Sequence, residues 1–321
     1  MKIKKLHYIT ILLFLFYSLS LFAYDGPLID GHLHFSKNSD LNLIKEKFKS
    51  NNILKAIIFP REFKSGDDYG ISEGQVLNVI KANPEIGWLL LGLQKEDLHN
   101  GKRADYWNAP DFKWKSWLSY AEQELLSGRR KGMGELIVRH YDYHGKGRGE
   151  VDFPINSEVF LDLLSLSNKT NRPLVIHAEG ELHVTNALLS ALPKYPNVKI
   201  VWAHGCGRSN PDLINEWFKS HINLYCDLGN MTDTGNYGSL WPRAGTWTYQ
   251  VEKNGVIDPK WLVIMNSYPD RLYIGSDVNE AKGWNKSWQI RIDRFRKLLS
   301  QINPEARELI AYKTAMKLYD W

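Results

Sequence analysis

The chain has 321 residues, of which 43% are hydrophobic and 24% are charged, and its formal net charge is +5. This composition is ordinary for a soluble globular protein. The sequence contains no internal repeat, low-complexity tract or linker to a second domain. Its basic residues do not form a clustered stripe, so the composition gives no reason to expect a nucleic-acid partner.

The first 23 residues differ from the rest of the chain. Three lysines within the first five positions precede a nearly unbroken apolar run from Tyr8 to Phe22, which ends at Ala23. This order is typical of a secretory signal peptide, so we expect a secreted or periplasmic protein whose mature domain spans residues 24–321. Leu21 stands where signal peptidases prefer a small residue, which leaves an uncleaved membrane anchor as the alternative. Removal of the leader lowers the formal charge from +5 to +2.

Eight short β-rich segments recur along the remaining chain, and most are continuously apolar rather than alternating. That pattern is typical of strands buried on both faces of a parallel sheet. The predicted strands cover residues 28–34, 54–59, 86–93, 133–138, 173–177, 198–204, 222–228 and 271–277.

Amphipathic stretches of helical length separate these strands. Ser72 with Gln75 three residues later resembles a capping box, and Pro211 and Pro304 suit first helical turns. The predicted helices cover residues 41–50, 72–82, 112–126, 157–168, 181–192, 211–220 and 304–321. Eight strands alternating with helices predict an α/β protein built as a single (β/α)8 TIM barrel. An open doubly wound sheet is the competing fold, but no G-x-G-x-x-G follows the first strand.

Two connections are longer than a simple helix. They cover residues 93–132 and, as an extended loop between strands seven and eight, residues 229–270. Both are rich in tryptophan and tyrosine, and we expect these aromatic side chains to pack rather than to bind substrate.

Histidines and carboxylates stand at or near the carboxyl ends of five predicted strands. His32 and His34 are two residues apart in the first strand, so both imidazoles point the same way and can serve one metal ion. The other strand-end residues are Glu135, His177, His204 and Asp277. Each has an ordinary alternative when taken alone, such as an ion pair between Glu135 and a nearby basic residue. The carboxyl ends of parallel barrel strands meet on one face, however, so we expect all six to converge.

These motifs resemble the metal-dependent amidohydrolase superfamily over essentially the whole mature chain. The similar segments are I-D-G-H-L-H-F, G-M-G-E-L-I, V-I-H-A-E, W-A-H-G, I-G-S-D-V and, in the closing helix of the amidohydrolase-related branch, I-A-Y-K-T-A-M-K-L-Y. The resemblance implies that His32, His34, His177 and Asp277 bind a divalent metal, with His204 as a ligand of a second metal or a catalytic residue. The fourth strand has no lysine, so the sequence departs from the members of the superfamily that use a carboxylated lysine. Glu135 is placed like the bridging glutamate of the TatD-like and phosphotriesterase-like variants. One or two ions are therefore compatible with the sequence, and zinc is expected before manganese, iron or nickel.

The implied chemistry is attack by a metal-activated water. Asp277 would orient that water and take its proton, and His204 would help to polarise the oxygen under attack. Asp30 and Glu179 are each two residues from a proposed ligand, so they are candidates to orient the histidines, with solvated strand-end charges as the alternative.

Substrate recognition is less visible. Arg139, Lys146 and Arg148 follow the fourth strand and can hold a carboxylate or phosphate, although a solvated loop is the simpler interpretation. Cys206 and Cys226 can pair in an oxidising compartment, but sequence does not decide whether their geometry permits a bond.

Three functions are compatible with these residues. The first is an exported metal-dependent hydrolase of a small-molecule ester, lactone, amide or phosphoester. The second is a metal-dependent decarboxylase, because the amidohydrolase-related branch contains C–C lyases with the same ligand motifs. The third is a binding protein on a barrel that has lost catalysis, which fits less well because every ligand position is filled.

Overall fold

The structure is a computed structural model that describes residues 23–60, 71–93, 107–141, 151–232, 249–279 and 281–321. The predicted signal peptide covers residues 1–23, of which 1–22 lie outside the described residues, and so it remains a prediction. None of the helices in the described ranges is both long and apolar enough to cross a membrane.

Parallel strands form the centre of the molecule. The strands of the described residues are β1 (Leu28–Phe35), β2 (Ile53–Pro60), β3 (Gly87–Leu89), β4 (Leu91–Gly92), β5 (Met133–His140), β6 (Val151–Asp152), β7 (Pro173–Ala178), β8 (Lys199–Trp202), β9 (Leu224–Asp227), β10 (Glu252–Lys253), β11 (Val256–Ile257) and β12 (Leu272–Tyr273). Strands β6, β10 and β11 belong to small antiparallel pairs at the periphery.

Helices follow the parallel strands in alternation. They are α1 (Leu41–Ser50), α2 (Glu73–Ala82), α3 (Phe112–Leu126), α4 (Glu158–Thr170), α5 (Leu182–Ala191), α6 (Pro211–Ser220), α7 (Pro259–Ser267), α8 (Ala281–Leu299), α9 (Pro304–Glu308) and α10 (Thr314–Leu318). The predicted capping box at Ser72 is present, and Pro211 and Pro304 occupy first turns.

The parallel strands form two ladders, in the orders β1-β2-β3 and β12-β9-β8-β7-β5-β4. Backbone hydrogen bonds connect the ladders at both ends. At one end β3 and β4 are consecutive in the chain, and Leu90 N donates to Ile58 O at 3.0 Å. At the other end Gly31 N donates to Ile274 O at 2.9 Å, and His34 N donates to Val278 O at 3.0 Å. Parallel strands alternating with helices in this order fit the predicted α/β (β/α)8 fold.

Two predicted strands, the sixth and the eighth, end two or more residues earlier in the structure than the sequence predicts. The sixth stops at Trp202 rather than His204, because the chain enters a left-handed conformation there. The eighth is regular only at β12, since its continuation from Ile274 leaves the ladder and Asp277 has a φ of 50°. Asp277 N instead donates to His32 O at 2.7 Å, so the irregular backbone attaches this residue to β1.

The C-terminal helix predicted over residues 304–321 is three segments, in which a π-helical turn at Leu309–Lys313 separates α9 from α10. A buried cluster joins α10 to side chains on β1, β2, β7, β8 and β12, among them Ile29, Ile57 and Val175. Ile29 precedes His32 on β1, and Val175 precedes His177 on β7. The cluster therefore fills the amino-terminal end of the barrel and leaves the carboxyl ends for the site.

Several aromatic residues of the two long connections pack in the interior, whereas Phe112 and Tyr120 are exposed. Trp107 stacks on Phe153 with ring centroids 4.3 Å apart, and both side chains are buried. Trp261 is also fully buried. Tyr106, Trp241 and Trp247 lie outside the described residues.

Candidate metal centre

The six strand-end residues of the sequence analysis lie together at the carboxyl ends of the strands. Their donor atoms fall into two groups, which we call group A and group B. Group A consists of His32, His34 and Asp277, whose donor atoms lie within 4.8 Å of one another. Group B consists of His177 and His204, which form a cluster of the same size together with Glu135, and a further cluster combines His32 and His204 with Asp227. Glu135 contacts both groups.

Group A is built on the pleat of β1. His32 Nε2 and His34 Nε2 are 3.2 Å apart, and Asp277 Oδ1 lies 3.7 Å and 3.6 Å from them respectively. Glu135 Oε2 lies 3.6 Å from the first nitrogen and 3.5 Å from the second. Two imidazoles and two carboxylate oxygens therefore face one point.

Group B joins β7 to the residues that follow β8. His177 Nδ1 and His204 Nε2 are 2.9 Å apart. The second oxygen of Glu135, Oε1, lies 3.1 Å from the former and 3.5 Å from the latter. Glu135 thus directs one carboxylate oxygen at each group, in the position of a bridge.

This arrangement fits a divalent cation. A pair of neutral imidazole nitrogens in contact can share only one proton, and both pairs here are buried from water. A cation between the two nitrogens of such a pair would accept electron pairs from both nitrogens and from the nearby carboxylate oxygens. Imidazole and carboxylate ligands suit zinc and also manganese, iron or nickel, so the donor set does not select one metal.

The electrostatics of the metal-free site also favour a cation. Burial raises the pKa of Glu135, but the adjacent histidines outweigh it and hold that pKa well below its usual value. Burial likewise opposes ionisation of Asp277, yet His32, His204 and His34 lower its pKa. Both carboxylates are therefore ionised at neutral pH and present negative charge to the space between the rings.

Without a metal, that charge is balanced by protons on histidine. Burial acts against protonation of His177, but Glu135 and Glu179 more than compensate and raise its pKa to about 9. Asp227 and Glu135 overcome the same burial effect at His32 and raise its pKa well above the usual value. Metal binding must displace these protons, so it is coupled to pH.

Some of the histidines contact a partner through the ring nitrogen that faces away from the cation position. His204 Nδ1 donates to Gly229 O at 2.8 Å. His177 Nε2 lies at an ion-pair distance of 3.4 Å from Glu179 Oε1, which accepts from Arg208 at 2.7 Å. Such partners fix the ring orientation of metal-binding histidines.

Asp30 orients no histidine ring. It is fully buried, and its carboxylate accepts from Ser276 Oγ at 2.6 Å, Ser276 N at 2.7 Å and Trp288 Nε1 at 3.0 Å. Its contact with His32 is to the backbone N–H. Asp30 therefore supports the segment that carries Asp277, which is a different role from the one expected.

Asp227, at the end of β9, was missed by the sequence analysis. Its Oδ2 lies 3.1 Å from His32 Nδ1, and its Oδ1 accepts from His204 N at 3.2 Å and Gly229 N at 2.8 Å. Both oxygens are already occupied by N–H groups, so Asp227 stands behind the histidines rather than among the donors that face a cation. It could have been found, because it too ends an apolar strand, in I-N-L-Y-C-D-L.

The chain leaves β8 through five consecutive residues with left-handed φ values between 52° and 68°, from His204 to Arg208, which we call the left-handed turn. This conformation costs about 1–2 kcal/mol for each non-glycine residue. Gly207 is required for space as well, since a Cβ there would lie 2.4 Å from Ala178 O. A disulfide between Cys206 and Cys226 attaches the turn to β9. The cysteine pairing left open by the sequence is therefore present in the structure.

Arg139 is not open to a substrate anion in this structure. It is buried, its Nε donates to Glu181 at 2.5 Å, and its guanidinium lies over the Tyr141 ring. These contacts connect β5 to the start of α5. Lys146 and Arg148 lie outside the described residues.

His140, at the end of β5, is a further histidine near group B. Its ring centroid is 5.0 Å from that of His177, and burial lowers its pKa to about 3. It is therefore a neutral imidazole at any ordinary pH.

No family model and no curated protein matches the sequence. Solved structures match it along most of its length. An uncharacterised TIM-barrel protein from Bordetella bronchiseptica aligns at TM-score 0.55 and 17% identity, over 87% of this chain and 82% of its own. A probable 2-pyrone-4,6-dicarboxylic acid hydrolase from Acinetobacter baumannii aligns at 0.52 and 14%, over 92% and 99%. A 2,6-dihydroxybenzoate decarboxylase from Rhizobium aligns at 0.54 and 11%, over 93% and 99%.

The chain shares the fold of TIM-barrel hydrolases and decarboxylases. This likeness is consistent with the amidohydrolase-related superfamily, to which the sequence motifs point. At these identities it establishes the fold, and the chemistry has to be argued from the site itself.

Proposed function

We propose that this protein is a metal-dependent hydrolase that uses an activated water on a small-molecule ester, lactone, amide or phosphoester. The observation that carries the proposal is the position of Glu135, with one carboxylate oxygen toward each pair of histidines. With one carboxylate oxygen toward each pair, Glu135 and the four histidines would hold two divalent cations, and zinc is our first expectation for both.

A cation in this donor set would lower the pKa of a bound water to about 7 and polarise the substrate oxygen. The remaining steps belong to the protein. Asp277 is ionised, its side chain is 12% exposed and its backbone is attached to β1, so it can orient the water and accept its proton. His204 is held by Gly229 O and presents Nε2 to the site, where it serves as a ligand or assists the oxygen under attack.

We further propose that the protein is exported. The leader-like residues 1–23 support this, and so does the Cys206–Cys226 disulfide, because disulfides persist mainly in oxidising compartments. The partner we expect is a small-molecule substrate, with no nucleic acid. A membrane would be involved only if the leader is retained.

Decarboxylation is the second candidate. It is favoured by the structural likeness to a 2,6-dihydroxybenzoate decarboxylase, which aligns at TM-score 0.54, against 0.52 for the hydrolase. The same ligands would then orient an aromatic carboxylic acid rather than a water.

One experiment separates the two candidates. The purified protein, with its metal content measured, is incubated in 18O-labelled water with panels of esters, lactones, amides, phosphoesters and aromatic carboxylic acids. Hydrolysis incorporates the label into an organic product, whereas decarboxylation releases carbon dioxide and leaves an organic product without the label. Metal-dependent turnover on the first four panels supports our proposal. Carbon dioxide release alone would replace it with the decarboxylase.

A further inference from the structure

Asp227 is buried in an unusual way for a carboxylate. It has no solvent exposure, and within the described part of the chain its only charged partner is His32. A buried carboxylate is costly unless hydrogen bonds and an opposite charge compensate it. Here two backbone N–H groups and one imidazole provide that compensation.

The hydrogen-bond pattern determines which nitrogen of His32 carries the proton. Asp227 Oδ1 already accepts from His204 N and Gly229 N, so Oδ2 is the oxygen left for His32 Nδ1. A carboxylate can only accept, and Nδ1 must therefore be the protonated nitrogen. Once a cation displaces the second proton of His32, its lone pair is on Nε2, which faces His34 and Glu135.

Two glycines lie next to the contact between Asp227 and His32, where a larger residue would collide with one of them. A Cβ at position 229 would lie 2.8 Å from Asp227 Oδ1 and 3.1 Å from His32 Nδ1. A Cβ at position 275 would lie 2.5 Å from the Cβ of His32. Gly229 and Gly275 thus leave the space in which the carboxylate and the imidazole approach each other.

Asp227 also contacts both groups of the metal centre. It holds the ring of His32 in group A and the backbone N–H of His204 in group B. The disulfide attaches the left-handed turn to the neighbouring residue Cys226, so the turn keeps a covalent attachment even without the Asp227 hydrogen bond.

We propose that Asp227 is a positioning residue that holds His32 in the Nδ1-protonated form and so makes its Nε2 available to the cation of group A. This inference rests on the proposed metal centre. The alternative is that Asp227 only caps the backbone at His204 and Gly229.

The test is an Asp227→Asn variant of the mature chain, with Glu252→Gln as a matched control. An asparagine has one acceptor oxygen, so it cannot accept from His32 and from the two backbone N–H groups as the carboxylate does. If its amide nitrogen faces His32, the histidine proton must move to Nε2, the metal-facing atom. Glu252 is equally buried, but its contacts include Gly255 N, between β10 and β11, and Arg294 of α8.

Zinc affinity is measured by competition with a chelator, and thermal unfolding is followed for both variants. We expect about 10- to 100-fold weaker binding at one site in Asp227→Asn. Glu252→Gln should change stability alone. Unchanged zinc affinity in Asp227→Asn would overturn the positioning role and leave the metal centre intact. If the wild-type chain bound no metal, both the proposed function and this inference would fail.

A measurement on the wild-type chain does not depend on the variant folding. Nitrogen-15 spectra of histidine-labelled, zinc-loaded protein should show His32 with a protonated Nδ1 and a metal-bound Nε2. Metal binding through Nδ1, or an Nδ1 without a proton, would contradict the proposal.

Discussion

Groups A and B present similar donors to the same space but are built in different ways. Group A takes both of its histidines from β1, whose pleat places His32 and His34 side by side, and takes Asp277 from the irregular backbone after β12. Group B takes His177 from β7 and His204 from the left-handed turn, which the disulfide and the Asp227 hydrogen bond hold in place. A strand thus places both histidines of group A, whereas costly irregular backbone places one of the two histidines of group B. Irregular backbone of this kind persists only where its surroundings determine it.

The largest expected effect concerns Asp277, the group A residue to which we assign the proton transfer. Asp277→Asn keeps the size of the side chain but removes the base, so kcat should fall by about 10²- to 10⁴-fold. The metal content of the purified variant should be compared with its turnover on the best substrate found. Full turnover in the variant would exclude Asp277 as the base.

A second prediction separates the groups by stoichiometry. If each group holds its own cation, His34→Ala and His177→Ala should each lower the bound metal from two ions per chain to one. Elemental analysis after gel filtration measures this, with His183→Ala as the control because His183 is exposed and contacts only Asp152 and Glu181 in the described ranges. Loss of all metal from either variant would mean that the groups form a single site.

The difference between the groups also explains what the sequence could predict. The apolar strands and the spacing of the helices predict the fold. The two-residue period of a strand predicts that His32 and His34 of group A lie side by side. The left-handed turn has no such period, because His204 and Cys206 adopt a conformation that local preference disfavours. The disulfide and the hydrogen bond between Asp227 and His204 N join residues 20 or more positions apart. Their formation depends on the pairing of β8 with β9, which the local sequence does not show.

A third prediction concerns the disulfide. Replacing Cys206 and Cys226 by serine opens a loop with a sequence separation of 20 and should lower the free energy of unfolding by about 3 kcal/mol. Zinc affinity should fall more at group B than at group A, since only group B is carried by the left-handed turn. Wild-type protein treated with a dithiol should behave like the double variant. Equal weakening of both groups would show that the turn does not distinguish them.

The smallest effect is a pH dependence of the metal-free protein. Glu135 and Glu179 overcome the effect of burial and raise the pKa of His177 from 6.5 to about 9. The folded state therefore binds this proton more tightly than the unfolded state does. The resulting stabilisation is complete below about pH 6.5 and is lost as the pH rises through about 9. Thermal unfolding of metal-free protein between pH 6 and pH 10 should show this decline, and His177→Gln should reduce it.

The proposed function depends most on the binding of two cations by these six residues. X-ray diffraction at the metal absorption edge tests that binding directly. Crystals grown without chelators should show two anomalous peaks, one among His32, His34 and Asp277 and one between His177 and His204, with Glu135 touching both. A single peak would restrict the site to one ion. Crystals of zinc-equilibrated protein without any peak among these six residues would contradict the proposed function.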